Sequence, residues 1–106
     1  MQIQLNTDRN VQGRQDLAAY VQELLERALE RFRDQITRIE VHLGDENSRH
    51  KGGEDDKRCM MEVRLAGRQP TAVTHQAATV DEALRGAADK LERVIEKTLG
   101  RLQDQR

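Results

Sequence analysis

The sequence predicts an α+β domain of order β-α-β-β-β-α, a four-stranded mixed sheet with two helices packed on one face. Three observations predict it. Segments 1–6, 36–44 and 58–66 alternate apolar and polar residues, the period of a strand buried on one side. Segment 79–102, TVDEALRGAADKLERVIEKTLGRL, repeats its apolar residues at helical spacing with no proline. The 106 residues hold one proline and neither an internal repeat nor a low-complexity tract, which suits a single domain spanning 1–106 around one modest core.

In chain order, the first strand sets Met1, Ile3 and Leu5 on one face and Gln2, Gln4 and Asn6 on the other. Segment 7–13 is polar and turn-like. A helix over 15–33 follows, with Leu17, Val21, Leu24, Leu25, Ala28 and Phe32 inward; Arg27 and Arg31, one turn apart, flank that face. The second strand, 36–44, points Ile39, Val41 and Leu43 inward and Glu40 and His42 outward. Segment 45–57, DENSRHKGGEDDK, reads as a long mobile polar loop. The third strand, 58–66, points Cys59, Met61, Val63 and Leu65 inward, and Gly67-Arg68-Gln69-Pro70 is a turn. Segment 71–78 is a weaker fourth strand. Its small and polar residues leave the parity open, but Val73 placed inward puts His75 on the same side.

The last helix opens with a capping box, Thr79 as N-cap and Glu82 three residues on. Val80, Leu84, Ala87, Leu91, Val94, Ile95, Thr98 and Leu102 share one face of it at about 100° per residue. A strand–helix–strand unit within one sheet crosses over right-handed, so strands one and two are predicted parallel. The later strands join as hairpins, and both helices cover one sheet face. The predicted core includes Ile39, Val41, Met61, Val63, Leu84, Leu91 and Ile95.

Charged residues make up 35% of the chain and hydrophobic residues 36%, values that by themselves lean toward disorder. The strong periodicity argues for a folded domain. A formal net charge of −1 gives no bulk attraction to nucleic acid or anionic lipid, so either would need a local patch. Cys59 is the sole cysteine, which excludes an intramolecular disulfide and agrees with a reducing compartment. The opening MQIQLNTDRN has neither the basic nor the apolar region of a secretory signal, and no apolar run reaches the length of a membrane span. These features predict a cytoplasmic protein with no membrane partner.

Several chemistries lack their residues. No glycine-rich phosphate motif follows a strand, and Gly52-Gly53 is an isolated pair in the polar loop. Ser48, the only serine, lies in that loop, so there is no nucleophile elbow. Cys59 with His75 would make a nucleophile–base pair across neighbouring strands. A small buried cysteine is the simpler reading. The acids of segment 45–57, with His42, His50 and His75, match neither zinc nor calcium-loop spacing and are interleaved with Arg49, Lys51, Lys57 and Arg58. No metal, cofactor, small-molecule substrate or enzymatic activity is predicted.

Nucleic-acid binding survives in restricted form. Tyr20 and Phe32 are the only aromatic residues and both lie on the first helix, so no strand offers a stacking platform for single-stranded bases. Recognition of shape and phosphate by basic side chains remains. On the last helix, Lys90, Arg93, Lys97 and Arg101 fall within about 80° of arc on one flank of the apolar face. Asp81, Glu82, Asp89, Glu92 and Glu96 fall on the far side, with Arg85 among them. Such a stripe is either a solvated face held by i,i+4 pairs such as Asp89–Arg93 or a phosphate-facing edge. Arg27 and Arg31 of the first helix are further candidates for RNA contact, and whether their flank meets this stripe depends on packing.

The order of elements, the MQIQLNTD opening strand, and Ala83-Leu84, Gly86 and Asp89-Lys90-Leu91-x-Arg93-x-Ile95-x-Lys97 resemble a known family. These are the bacterial ribosome hibernation-promoting factors and ribosome-associated inhibitors, once called sigma-factor modulation proteins. Their fold is similar to a double-stranded-RNA-binding domain with an added strand. Asp81 stands where the family usually has an aromatic residue. The resemblance implies a non-enzymatic factor that binds the small ribosomal subunit through rRNA in the messenger and transfer RNA channel, blocks translation and preserves idle ribosomes under stress or in stationary phase. It places Lys90, Arg93, Lys97 and Arg101 at basic positions that contact rRNA, and it implies a short form without the C-terminal dimerisation domain of longer members. The alternatives with the same fold are an RNA binder with another target and a stress-related protein-interaction domain. The oligomeric state is left open.

Overall fold

The computed structural model describes residues 1–8, 14–45 and 57–104, with side chains described for 1–8, 16–45 and 57–100. The predicted turn over 7–13 and polar loop over 45–57 therefore fall largely outside the described residues, as does the Arg101 side chain. The elements are β1 (Gln2–Thr7), α1 (Arg14–Ala28), a 3-10 helix (Glu30–Gln35), β2 (Ile36–Asp45), β3 (Lys57–Leu65), β4 (Thr71–Ala77) and α2 (Val80–Asp104).

The sheet runs in sequence order, β1-β2-β3-β4. β1 pairs with β2 in parallel, Ile3 beside Ile39 and Leu5 beside Val41. β2–β3 and β3–β4 are antiparallel hairpin pairs. Alternation does what the sequence predicts: Ile39, Val41, Leu43, Cys59, Met61, Val63 and Leu65 are buried on the face that carries the helices. α2 lies over β3 and β4, and α1 lies over β1 and against α2. Ile39, Val41, Met61, Leu84, Leu91 and Ile95 are completely inaccessible, so the predicted core is the core. β1 is less covered, and Ile3 and Leu5 are only half-buried at the sheet edge.

The first helix departs from its predicted course. The continuous helix expected over 15–33 stops at Ala28 and tightens into a 3-10 helix. Phe32 N–H bonds the Leu29 carbonyl at 2.9 Å, an i to i+3 link. In that geometry residues three apart eclipse, so Leu29 and Phe32 enter the core together. Leu29, absent from the predicted inner face, is fully buried; its N–H bonds the Leu25 carbonyl at 2.9 Å, one α-turn back, which sets it on the side of Val21 and Leu25.

α2 begins as its capping box requires. The Thr79 hydroxyl accepts from Glu82 N–H at 3.1 Å and donates to Glu82 Oε1 at 3.3 Å, and Ala83 N–H bonds Thr79 O at 3.0 Å. β4 resolves its parity with Val73, His75 and Ala77 inward, as the placement of Val73 implied. Room for the imidazole comes from Gly86. A Cβ at that position would stand 2.1 Å from His75 Cδ2 and 2.3 Å from its Nε2, far inside contact distance. The only positive φ among the described non-terminal turns is at Gly67, +73°, between β3 and β4.

Two stability measurements test this packing. Leu91→Ala is expected to cost about 2–5 kcal/mol in denaturant unfolding, the range for a fully buried leucine. Gly86→Ala is expected to cost about 1–3 kcal/mol because the new methyl must displace the His75 ring. In a His75→Ala background that cost disappears, so a double-mutant cycle returns a large coupling. Additive effects would show that the ring and Gly86 are not packed together.

Candidate nucleic-acid interface

The site is built by the rotation of α2 about its own axis. Ala83, Leu84, Ala87, Ala88, Leu91 and Ile95 are buried and point it at the sheet. On one side the helix is pinned to β4, by His75 against Gly86 and by Lys90, whose Nζ donates to the Thr74 carbonyl at 2.8 Å. Lys90, Arg93 and Lys97 are exposed along this flank. Arg93 and Lys97 make no ion pair or hydrogen bond among the described residues. In particular the i,i+4 pair Asp89–Arg93, which a merely solvated face would use, is not formed. The backbone of Arg101 continues the same helix.

The opposite flank faces α1 and the 3-10 helix. There Arg31 reaches Glu92 at 2.9 Å and Glu96 at 3.4 Å, with its guanidinium 4.4 Å above the Phe32 ring centre. The Glu92 hydrogen bond raises the Arg31 pKa against the opposing effect of desolvation, with the charge and hydrogen bond of Glu96 adding to the rise. Arg27 pairs with Glu23 at 3.3 Å. Glu92 and Glu96 stand roughly 100–160° around α2 from Lys97 and Lys90. Arg27 and Arg31, both predicted to bind rRNA, are thus on the acidic flank and do not converge with Lys90, Arg93 and Lys97. The reason is the 3-10 segment, which turns Arg31 toward the glutamates.

At the start of α2, Tyr20 of α1 donates its hydroxyl to Asp81, and Arg85 Nε lies 3.1 Å from the same carboxylate. The Tyr20 hydrogen bond, with Arg85 in support, pushes the Asp81 pKa down against its desolvation. Asp81 thus has an aromatic partner on α1.

The open face of the sheet carries both signs of charge, Arg38, Arg58 and Arg64 with Glu40 and Glu62. Register sets Arg38 opposite Arg64 and Glu40 opposite Glu62, an unfavourable pairing of like charges. Glu40 relieves it along its own strand, 3.0 Å from Arg38 and 3.3 Å from His42 Nε2. On α2, Arg93 and Lys97 are exposed without a carboxylate partner among the described residues.

The family model of sigma 54 modulation protein / S30EA ribosomal protein matches residues 6–103. The chain belongs to this family. Among solved structures, its fold is similar to the N-terminal domain of Thermus thermophilus Protein Y, with a TM-score of 0.72, 24% identity, and 92% of this chain and 99% of that one covered. It is also similar to a ribosomal subunit interface protein from Coxiella burnetii, with a TM-score of 0.65, 21% identity, and 94% and 99% covered. No curated protein matches the sequence. The S30EA family is one of ribosome-associated modulation factors, and the four-stranded sheet with helices on one face is its fold.

In this S30EA-family chain the Cys59–His75 pair is brought together, while the acids and His50 of segment 46–56 lie outside the described residues. Cys59 and His75 are direct partners across β3–β4 and both face inward. Yet the thiol is fully buried, and desolvation pushes it up to about 12. At neutral pH it is a protonated core side chain, not a nucleophile. Among the described residues no three His, Cys, Asp or Glu side chains converge as metal ligands, and no helix is long and apolar enough to cross a membrane. Sequence reasoning missed the Lys90–Thr74 and His75–Gly86 contacts. The second had a signal: glycine inside a helix costs about 1 kcal/mol relative to alanine and so marks a close approach.

Burial of Cys59 predicts its reactivity. Iodoacetamide at pH 8 is expected to leave the native protein unmodified on a timescale that labels a free thiol fully, with alkylation appearing only as denaturant opens the β3–β4 pair. Mass spectrometry reads the modification directly, and rapid labelling of the native state would mean that this part of the core opens readily.

Proposed function

We propose that this protein is a non-enzymatic factor that binds the small ribosomal subunit through rRNA phosphates and, by occupying the path of messenger and transfer RNA, inhibits translation and preserves idle ribosomes. The observation that carries the reading is the flank of α2. In a chain of net charge −1, Lys90, Arg93 and Lys97 stand exposed beside β4, while Glu92 and Glu96 on the other flank are paired with Arg31. Family membership supplies the ribosome as partner. Contact with phosphate is assigned to Lys90, Arg93 and Lys97, with Arg101 continuing the row one turn on. Arg31, held by two glutamates, and Arg27, held by Glu23, contribute less than the sequence predicts.

If each of the four basic residues neutralises one phosphate, the slope of log affinity against log salt is about −3 to −4. Reversing Arg93 and Lys97 together to glutamate is expected to abolish co-sedimentation with the small subunit without altering the unfolding midpoint by much, since neither faces the core. Arg85→Gln, on the acidic flank, is the control and is expected to bind normally. Wild-type affinity in the double reversal would reduce the stripe to a solvated face.

A further inference from the structure

Among the described residues β4 has β3 on one side and no strand on the other. In an antiparallel pair the backbone groups of alternate residues point to opposite edges. Two contacts set the phase here. Ala66 N–H bonds the Gln35 carbonyl at 2.9 Å, and the Arg64 carbonyl accepts from Thr37 Oγ1 at 2.8 Å. Even-numbered residues of β3 thus turn their backbone toward β2. Cys59, Met61 and Val63 bond their β4 partners His75, Val73 and Thr71. Ala72, Thr74 and Gln76 turn their backbone outward. Lys90 reaching the Thr74 carbonyl from α2 fits this phase independently.

α2 runs back along β4, Gly86 beside His75 and Lys90 beside Thr74. From Lys90 to Lys97 the helix rises about 10.5 Å, and Thr74 to Thr71 spans about 10 Å of strand. On a course along the strand, Arg93 and Lys97 follow Lys90 beside the first half of β4.

We propose that this edge is a phosphate rail for an RNA strand. The Ala72 and Thr74 amides donate to phosphate oxygens, and Lys90, Arg93 and Lys97 stand over the same oxygens. The inference rests on the reading of the chain as an RNA-binding factor and adds the backbone to its contacts. An edge strand normally presents a carbonyl beside each amide, and carbonyl oxygens repel phosphate. Lys90 covers the Thr74 carbonyl and leaves that residue's amide as the group on offer. The two amides lie about 6.6 Å apart, close to the spacing of successive phosphates on one nucleic-acid strand. β4 carries no acidic residue, and the small Ala72 side chain lets a backbone come near. An added peptide strand is disfavoured, because it needs the acceptor that Lys90 already holds.

The test removes N–H groups and leaves charge intact. One variant carries an ester in place of the Thr74 amide, made by joining residues 1–58 to a synthetic 59–106 at Cys59. The other is Ala72→Pro, which an outward-facing edge position tolerates. Both are titrated against purified bacterial small ribosomal subunits over a range of salt, with thermal unfolding followed in parallel. The expected result is affinity lower by about tenfold or more, the effect of one hydrogen bond to a charged group, with the salt slope unchanged. Wild-type affinity in the folded ester variant overturns the rail and leaves the ribosome reading standing. Failure of the unmodified protein itself to bind the small subunit overturns both. If Ala72→Pro does not fold, the ester variant decides alone.

Discussion

The surface of this protein depends on one constraint, the rotation of α2 on the β3–β4 pair. A helix with basic residues on one flank and acidic residues on the other presents opposite charge according to how it is turned. Here the rotation is set from two directions. Buried Leu84, Leu91 and Ile95 draw the apolar face onto the sheet. Gly86 then admits His75, so the helix settles with that flank close against β4. A roll of one residue, about 100°, would replace the basic flank at the β4 edge with a different set of side chains. The packing beneath the helix thereby chooses the sign of charge above it.

The same placement explains how a nearly neutral chain keeps a cationic edge. The acids of α2 face partners supplied by the first half of the chain: Arg31 for Glu92 and Glu96, Tyr20 for Asp81. Across the sheet, Arg38 and His42 gather around Glu40. Lys90 finds a backbone carbonyl and not a carboxylate. Charges thus pair locally around Arg31 and around Glu40, while Arg93 and Lys97 meet no carboxylate among the described residues. A patch of this kind attracts a polyanion at short range, within a Debye length of about 8–10 Å, although the net charge of the whole protein does not. This is the physical content that the S30EA family assignment acquires in this member.

Two positions show how local geometry carries consequences to distant parts of the fold. The 3-10 helix at Glu30–Gln35 buries Leu29 with Phe32 and, in the same turn, swings Arg31 to the glutamates of α2. Cys59 is fully buried on β3, where desolvation removes the reactivity that its residue type suggests. Each residue is read correctly by chemistry only after its environment is known.

The sequence by itself determined the order of elements, the inward set of β2 and β3, the capping box at Thr79 and the family resemblance. These are consequences of period, two residues for a strand and 3.6 for a helix, and of short-range hydrogen bonding, which a string of residues displays directly. It also sorted Lys90, Arg93 and Lys97 from the acids, because angular position on a helix follows from numbering. What only the tertiary structure decided is which neighbour each flank meets. Which side of α1 turns down, Val21, Leu25 and Leu29 more than Leu24 and Ala28, is set by packing against the rest of the core. The parity of β4 is settled by a notch at Gly86 on another element. Arg31 is drawn from the basic set by Glu92 and Glu96, which lie 61 and 65 residues away in the chain. Contacts at such separation depend on how helices and sheet pack in three dimensions, and periodicity along one segment carries no information about them.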